Sequence, residues 1–241
     1  MLPQAFLTAE WRNLAILDYA ADPSLLSGLV PAGTELDAFK GTTYVSLVGF
    51  EFDRARVCGI KALFHQTFEE VNLRFYVRRQ GKRGVVFVRE LVPKYAVAAI
   101  ARLAYGENYS RVPMSHRISD SNAEYSWVWN RARFVMQIET EGPEVLPGDG
   151  SLEQFITEHY WGYSARSDGS CLEYEVRHPR WTVWKASRAA FNGNAASLYG
   201  ERFTEVLQGK PDSAFLSKGS EVIVFTGRRS ADATDERLGS L

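Results

Sequence analysis

The sequence predicts an α+β domain, mainly antiparallel β and barrel-like, on three observations. Short apolar–polar alternations recur along the whole chain, punctuated by glycine, proline and asparagine. The aromatic load is heavy, with 6 Trp, 11 Tyr and 14 Phe among 241 residues, a composition that favours strands and a ringed cavity over a helical bundle. Helical patterning is confined to short interspersed segments, with neither an internal repeat nor a dividing linker. A single barrel domain over residues 1–227 is expected, followed by a polar, flexible tail over 228–241.

The elements follow in order. Within residues 8–30, WRNLAILDY reads as a short strand, and Asp22-Pro23 opens a helical turn, Asp as N-cap and Pro at the first helical position. YVSLVGFEF (44–52) alternates and is rich in β-branched and aromatic residues, so it reads as a strand. The clearest hairpin joins VNLRFYVRR (71–79) to GVVFVREL (84–91) through a glycine-containing tip. It places Val71, Leu73, Phe75 and Val77 on one face and Asn72, Arg74, Tyr76 and Arg78 on the other. A three-residue loop sets Arg74 opposite Glu90, whereas a two-residue loop sets it opposite Arg89. Facing guanidinium groups are unfavourable, which favours the Arg74–Glu90 register.

Pro93 then opens a helix that Gly106 closes, with Val97, Ile100, Ala101 and Ala104 on its apolar face and Lys94, Ala98 and Arg102 on a second stripe. EYSWVWNRARFVMQIE (124–139) reads as one long strand or two short ones. PEVLPGDG is a turn region, and Ser151 with Gln154 forms a capping box for the helix SLEQFITEHY. Strands over 171–178 and 181–187, a polar loop FNGNAAS, a short segment SLYGERFTEVL and a last strand over 221–227 complete the chain.

Composition narrows the function classes. Hydrophobic residues make up 45% and charged residues 24%, typical of a globular chain. The net charge of −1 and a pI near 6.5 argue against a nucleic-acid binder. Arg78, Arg79, Lys82 and Arg83 read as a solvated hairpin tip rather than a phosphate patch. Two cysteines without CxxC spacing point to a reducing, cytoplasmic setting. The N-terminus lacks the pattern of a signal peptide, and no apolar run is long enough to span a bilayer, so no membrane partner is expected.

Among candidate site residues, Arg74 carries the most weight. Lining a cavity, it is a buried cation that needs a carboxylate, with Glu90 the nearest in sequence; on an outer face it makes only a weak salt bridge. Asn72 and Tyr76 beside it are residues a polar pocket uses, which favours the cavity. Lys94 after Pro93 is either a helix-start cation or an amine activated by dry surroundings. Arg102 is either an exposed helical arginine or a bidentate grip for a ligand carboxylate. The four histidines (His65, His116, His159 and His178) lack metal-ligand spacing, so no metal is expected, and His178 reads as a structural strand end. Nucleophile elbows, Walker loops and GxGxxG are absent.

The run NLRFYV–GVVFVRE–VP–AVAAIAR–Y–ENY–VPM, together with EWRNLAILDYAADPSLLSGLVP, LEYEVRHPRW, SLYGERF and GSEVIVF, resembles the uncharacterised bacterial YqjF-like family, a domain of unknown function (number 2071). That family is similar in fold to acetoacetate decarboxylase, and the resemblance implies a cone-shaped antiparallel barrel around a central cavity. In acetoacetate decarboxylase a lysine within G-R-E-x-x-G-F-P-K-K forms a Schiff base, its pKa lowered by its neighbours. Laid on ARLAYGENYS, the motif puts Arg102 on its arginine and Gly106 on its second glycine. Leu103 then replaces the glutamate, Glu107-Asn108 replace Phe-Pro, and Tyr109-Ser110 replace the two lysines. The Schiff-base lysine is absent from its place, and Lys94, at the opposite end of the helix, does not inherit the role.

The expectation is a small-molecule-binding barrel for a carboxylate or carbonyl compound. Asn72, Arg74, Tyr76, Lys94 and Arg102 are its candidate ligand-binding residues, and Tyr109 and Glu90 its candidate catalytic pair. Any chemistry is expected to be lyase-type or hydration, without a cofactor, with Tyr109 as general acid on an enolate or carbonyl oxygen. A non-catalytic carrier or sensor using the same cavity is the alternative, and an interaction module with its barrel filled by aromatic side chains is a third. The resemblance also leaves a homo-oligomer open.

Overall fold

The structure, a computed structural model, describes residues 4–61, 67–94 and 106–230. Its strands are β1 (Ala5–Ala21), β2 (Glu35–Leu36), β3 (Thr43–Val57), β4 (Ile60–Lys61), β5 (Phe68–Arg79), β6 (Lys82–Val92), β7 (Tyr109–Arg111), β8 (Met114–Ser119), β9 (Asn122–Trp129), β10 (Ala132–Thr140), β11 (Trp161–Ala165), β12 (Cys171–Arg177), β13 (Trp184–Asn192), β14 (Ser213–Phe225) and β15 (Arg228–Ser230). Short helices α1 (Pro23–Leu26), α2 (Leu152–Thr157), α3 (Ala195–Tyr199) and α4 (Thr204–Gln208) lie between them. The expected class, mainly antiparallel β with a few short helices, is the class observed.

Strand pairing runs β12–β11–β6–β5–β3–β1–β14, and β12 also pairs with β14 at Val176↔Val224 and Arg177↔Ile223, so the path returns on itself. Beyond β14 the sheet continues through β13, β10, β9 and β8. The parallel junction between β11 and β6 rests on Gly84, which pairs with Trp161. A Cβ at Gly84 would lie 2.6 Å from the Trp161 carbonyl oxygen, so only glycine lets the two strands meet there.

The starts of helices follow the expected chemistry. The Asp22 side chain accepts from the Ser24 backbone N–H at 2.8 Å, with Pro23 next in the chain. Ser151 Oγ accepts from the Gln154 backbone N–H at 3.2 Å, while the Gln154 side chain reaches the Gly150 N–H at 2.7 Å instead of that of Ser151. α2 stops at Thr157, short of the expected HY. Residues 95–105, which carry most of the expected helix and Arg102, lie outside the described residues; Gly106 takes φ +68°, the left-handed conformation that glycine readily adopts.

Several expected boundaries are corrected. The strand seen in WRNLAILDY is 17 residues long and pairs along its length with β3 and β14, which is also why β14 begins eight residues before EVIVFTG. β13 begins at Trp184 and runs through FN, because Val135–Thr140 of β10 pairs with it as far as Asn192. The Asn194 side chain then caps α3, so the polar loop is short. Arg228–Ser230 pairs with β12, extending the sheet into the expected tail.

The hairpin register also differs. Gln80 (φ +49°) and Gly81 (φ +77°) form a two-residue turn, and Arg74 faces Phe87 rather than Glu90. A bulge then leaves Val88 unpaired, so that Leu73 faces Arg89 and Asn72 faces Glu90. The tip is not merely solvated. Arg78 pairs with Glu35 (2.9 Å), Lys82 with Glu173 (3.1 Å) and Arg83 with Asp37 (2.7 Å), while Arg79 lies 3.9 Å from Glu173.

The alternation of β5 divides two interiors. Val71, Leu73, Phe75 and Val77 are fully buried against Tyr125, Trp127, Phe134 and Met136 of the sheet extension. The opposite face looks into the closed circuit, toward a cluster that includes Ile16, Val48, Phe50, Phe155 and Trp181.

Candidate functional site

That second interior is hollow. A cavity of about 420 Å³, within the size range of pockets that take small molecules, is walled by Trp11, Phe50, Phe52, Phe68, Phe87 and Trp181. The expected interaction module, with its centre filled by aromatic side chains, is therefore not what the fold contains.

β5 contributes Glu70, Asn72 and Arg74 to the cavity wall at every second position. On β6 the bulge places Phe87 and Glu90, three residues apart, on the same wall. β7 runs parallel to β6 with Tyr109 opposite Glu90, and Glu107 just before it also lines the cavity. Tyr174 from β12, His159 after α2, and His178 add to the polar lining.

Three glutamates meet here. Asn72 Nδ2 donates to Glu70 Oε1 at 2.9 Å, the Tyr109 hydroxyl to Glu70 Oε2 at 3.4 Å, and the Tyr174 hydroxyl to Glu107 Oε1 at 2.5 Å. Burial pushes the Glu70 carboxyl up to about 7 against the pull of its Asn72 and Tyr109 hydrogen bonds. Burial likewise lifts Glu107 to about 8, opposed by Tyr174. Glu90 is raised well above the carboxylate range by burial and then by the charges of Glu107 and Glu70. The cluster holds protons at neutral pH and titrates as a unit.

Behind Arg74, Ser46 Oγ donates to Asp18 Oδ1 at 2.5 Å and lies 2.5 Å from the Tyr76 hydroxyl. Burial lifts Asp18 to about 7, against the Ser46 hydrogen bond and the Arg74 charge. Tyr76 supports the wall from this network and is not itself among the lining residues. Arg74 has its guanidinium carbon 5.8 Å from the Tyr76 ring centre. Its Nε is buried without a hydrogen-bond partner, and among the described residues no carboxylate oxygen forms an ion pair with it. Glu90, the partner expected from sequence, is directed instead to the Glu107–Tyr109 group.

Lys94 stands apart. Its ammonium donates to the Thr67 carbonyl at 2.9 Å, and it is not among the cavity-lining residues. Arg102 lies outside the described residues. His178 follows the end of β12, as expected, and also lines the cavity, stacked on Trp181 with ring centres 4.0 Å apart. Sequence reasoning also missed Glu70, Glu107, Tyr174 and His159. For Glu70 the signal is present, since the polar alternation Asn72–Arg74–Tyr76 extends back by one step.

Among the described residues no group of three or more His, Cys, Asp or Glu side chains is arranged to hold a metal ion. Lys61, exposed at the end of β4, is the one lysine among the described lining residues, and the segments 62–66 and 95–105 contain none in sequence. No helix of the described residues is long and apolar enough to cross a membrane.

Comparison with solved structures agrees with this architecture. Acetoacetate decarboxylase of Legionella pneumophila superposes with a TM-score of 0.71 at 12% identity, over 96% of this chain and 89% of that one. The enduracididine biosynthesis enzyme MppR complexed with pyruvate gives 0.68 at 12% identity, over 96% and 93%. An acetoacetate decarboxylase-like enzyme of Sphingomonas wittichii RW1 gives 0.68 at 11%, over 95% and 94%. In sequence, the uncharacterized protein YqjF of Bacillus subtilis (strain 168) is 32% identical over 183 residues, 73% of this chain and 74% of that one. The model of domain of unknown function 2071, described as an uncharacterized conserved protein, matches residues 8–221, and the chain belongs to that family.

Proposed function

We propose that the cavity binds a small carboxylate or carbonyl compound, with Arg74 holding its anionic group. The carrying observation is a guanidinium in an aromatic-walled cavity whose buried Nε has no partner and which has no carboxylate in ion-pairing distance among the described residues. A half-buried cation with its Nε left so is costly, and a ligand carboxylate would offset that cost. The pyruvate bound in the MppR structure, itself a carboxylate, agrees with this class.

The same cavity supports lyase-type or hydration chemistry without a cofactor. Glu70 and Glu107 have proton affinities near neutrality, where an acid–base group works best. Tyr109, hydrogen-bonded to Glu70, relays a proton from this group to a ligand oxygen, and Glu90 keeps the cluster charged with protons. Schiff-base chemistry is not part of the proposal, because the described lining residues offer only the exposed Lys61 as an amine. The aromatic wall also favours a second reading, a carrier that holds the same ligand class without turning it over.

Replacing Arg74 with Met removes the anion contact while keeping an apolar stem. Affinity for any carboxylate found in a thermal-shift metabolite screen should fall by about 10- to 100-fold, as for loss of a charged hydrogen bond. Unchanged affinity would remove the central residue of the proposal. Turnover of a bound compound that disappears in Tyr109→Phe separates the enzyme from the carrier.

A further inference from the structure

One cluster on the cavity wall is used by none of the above. Asp37 is buried beside β5, its backbone N–H on the Tyr76 carbonyl at 3.0 Å. A single carboxylate oxygen, Oδ2, accepts from Arg83 Nε at 2.7 Å and lies 3.2 Å from His159 Nε2. The imidazole is wedged between Tyr76 (ring centres 4.6 Å apart) and Phe155 (5.0 Å, edge-on), with its side chain 1% exposed. Its other nitrogen, Nδ1, is buried and has no partner.

The cluster fixes which nitrogen carries the proton. Burial works against ionisation of Asp37, but the hydrogen bonds from His159 and Arg83 outweigh it and hold the carboxyl below its ordinary value. Asp37 is therefore an anion, and Nε2 must be its N–H donor. Burial depresses His159 to about 4, so the ring is neutral and Nδ1 presents a lone pair. Asn72 behaves alike: its amide nitrogen is committed to Glu70, and its Oδ1 is left as a buried acceptor without a partner. The unmatched donors of the same wall are Arg74 Nε and Trp11 Nε1.

We propose that the ligand is a hydroxy acid, its carboxylate on Arg74 and its hydroxyl donating to His159 Nδ1. This rests on the carboxylate reading above and adds the group that reading leaves open. An oxo oxygen only accepts, so it leaves the buried lone pair of His159 unmatched; a hydroxyl satisfies it. Arg74 and His159 line the same cavity, and each lies within 6 Å of the Tyr76 ring. An ammonium would also donate, but the charges of Arg83 and Arg74 act on His159 and disfavour a second cation there.

The test is a matched panel measured by calorimetry: lactate, pyruvate and alanine, then mandelate, benzoylformate and phenylglycine. In the wild-type protein each hydroxy acid should bind about tenfold tighter than its oxo and amino counterparts, the effect of one buried hydrogen bond. His159→Phe should reduce that preference to within about twofold while leaving the oxo acids bound. Arg74→Met should weaken hydroxy and oxo acids alike. Oxo or amino acids binding as tightly as hydroxy acids, or a preference that survives His159→Phe, would overturn the assignment of His159 alone. Affinities insensitive to Arg74→Met, or no binding by any of the six acids, would overturn the carboxylate reading and this inference with it. Histidine side-chain nitrogen-15 spectra of the wild-type protein give the same answer without a variant: the Nδ1 resonance of His159 should shift with lactate or mandelate and stay in place with pyruvate or benzoylformate. A shift equal for both kinds of acid would count against the inference.

Discussion

The two faces of β5 differ in what they bury. On one, Val71, Leu73, Phe75 and Val77 are fully covered by side chains of the sheet extension, and the space between strands is filled. On the other, Glu70 and Asn72 are almost as inaccessible, at 3% and 2% exposure, yet they border a cavity and stand among ionisable groups. Burial alone therefore does not mark a core. Unmatched polar atoms occur on both sides, and Trp127 Nε1, Tyr19 OH and Tyr199 OH of the packed side belong to neutral groups. Those of the hollow side include atoms of Arg74, Glu90 and His159. The packed face supplies stability, and the hollow face leaves polar groups unmatched at stability's expense.

The contrast is open to measurement. Leu73→Ala, on the filled face, should cost about 2–5 kcal/mol in urea unfolding, as a cavity in a packed core does; a cost under about 1 kcal/mol would mean that this face is loosely packed too. On the hollow face the largest effect should appear as pH dependence. The proton held by Glu107 stabilises the folded state below the ordinary carboxylate pKa of 4.5, and that contribution is lost as pH rises toward about 8. Glu107→Gln should therefore leave stability near pH 5 unchanged and raise it by about 1–3 kcal/mol near pH 9, given about 1.4 kcal/mol per pKa unit and a proton shared with Glu90 and Glu70. Equal effects at both pH values would refute the buried-proton account.

His159 should act with the opposite sign. Its depressed pKa of about 4 makes the neutral ring stabilising above the ordinary value of 6.5, and that contribution fades as pH falls from 6.5 toward 4. His159→Phe should flatten the acid limb of the stability profile by about 1–2 kcal/mol. A comparable effect is expected at the junction of β6 with β11. Gly84→Ala sets a methyl group against the Trp161 carbonyl and should cost about 1–2 kcal/mol, with hydrogen exchange faster in β11 than in β3. Uniform exchange would show that the β6–β11 junction is not the weak point.

Much of this is legible in the sequence, for a definite reason. VNLRFYVRR alternates so regularly that the two faces of β5 can be read by eye, and Asp22-Pro23 and Ser151 announce their helices through local hydrogen bonding. What escapes is what depends on distance. Glu107, Tyr174 and His159 carry no local pattern; they reach the cavity that Glu70 lines only because β7, β12 and the end of α2 converge on one circuit. Lys94 draws notice by its composition alone, and its ammonium bonds to Thr67 instead of entering the cavity. Charge pairing by itself gives the wrong hairpin register, because the two-residue Gln80-Gly81 turn sets Arg74 opposite Phe87 before the bulge is reached.

That bulge has a consequence for how relatives are aligned. Val86, Val88 and Leu91 of β6 pack on the filled side with Arg89 over Trp129, while Val85, Phe87 and Glu90 face the cavity. Two successive residues, Val88 and Arg89, thus point the same way. Deleting either one would restore strict alternation and still leave Glu90 on the cavity wall. A gap at 88–89 in a homologue is therefore silent for the site, whereas a gap anywhere between Glu90 and Val92 turns the following side chain inside out. Sequence comparisons in this family should anchor on Glu90 rather than on the turn.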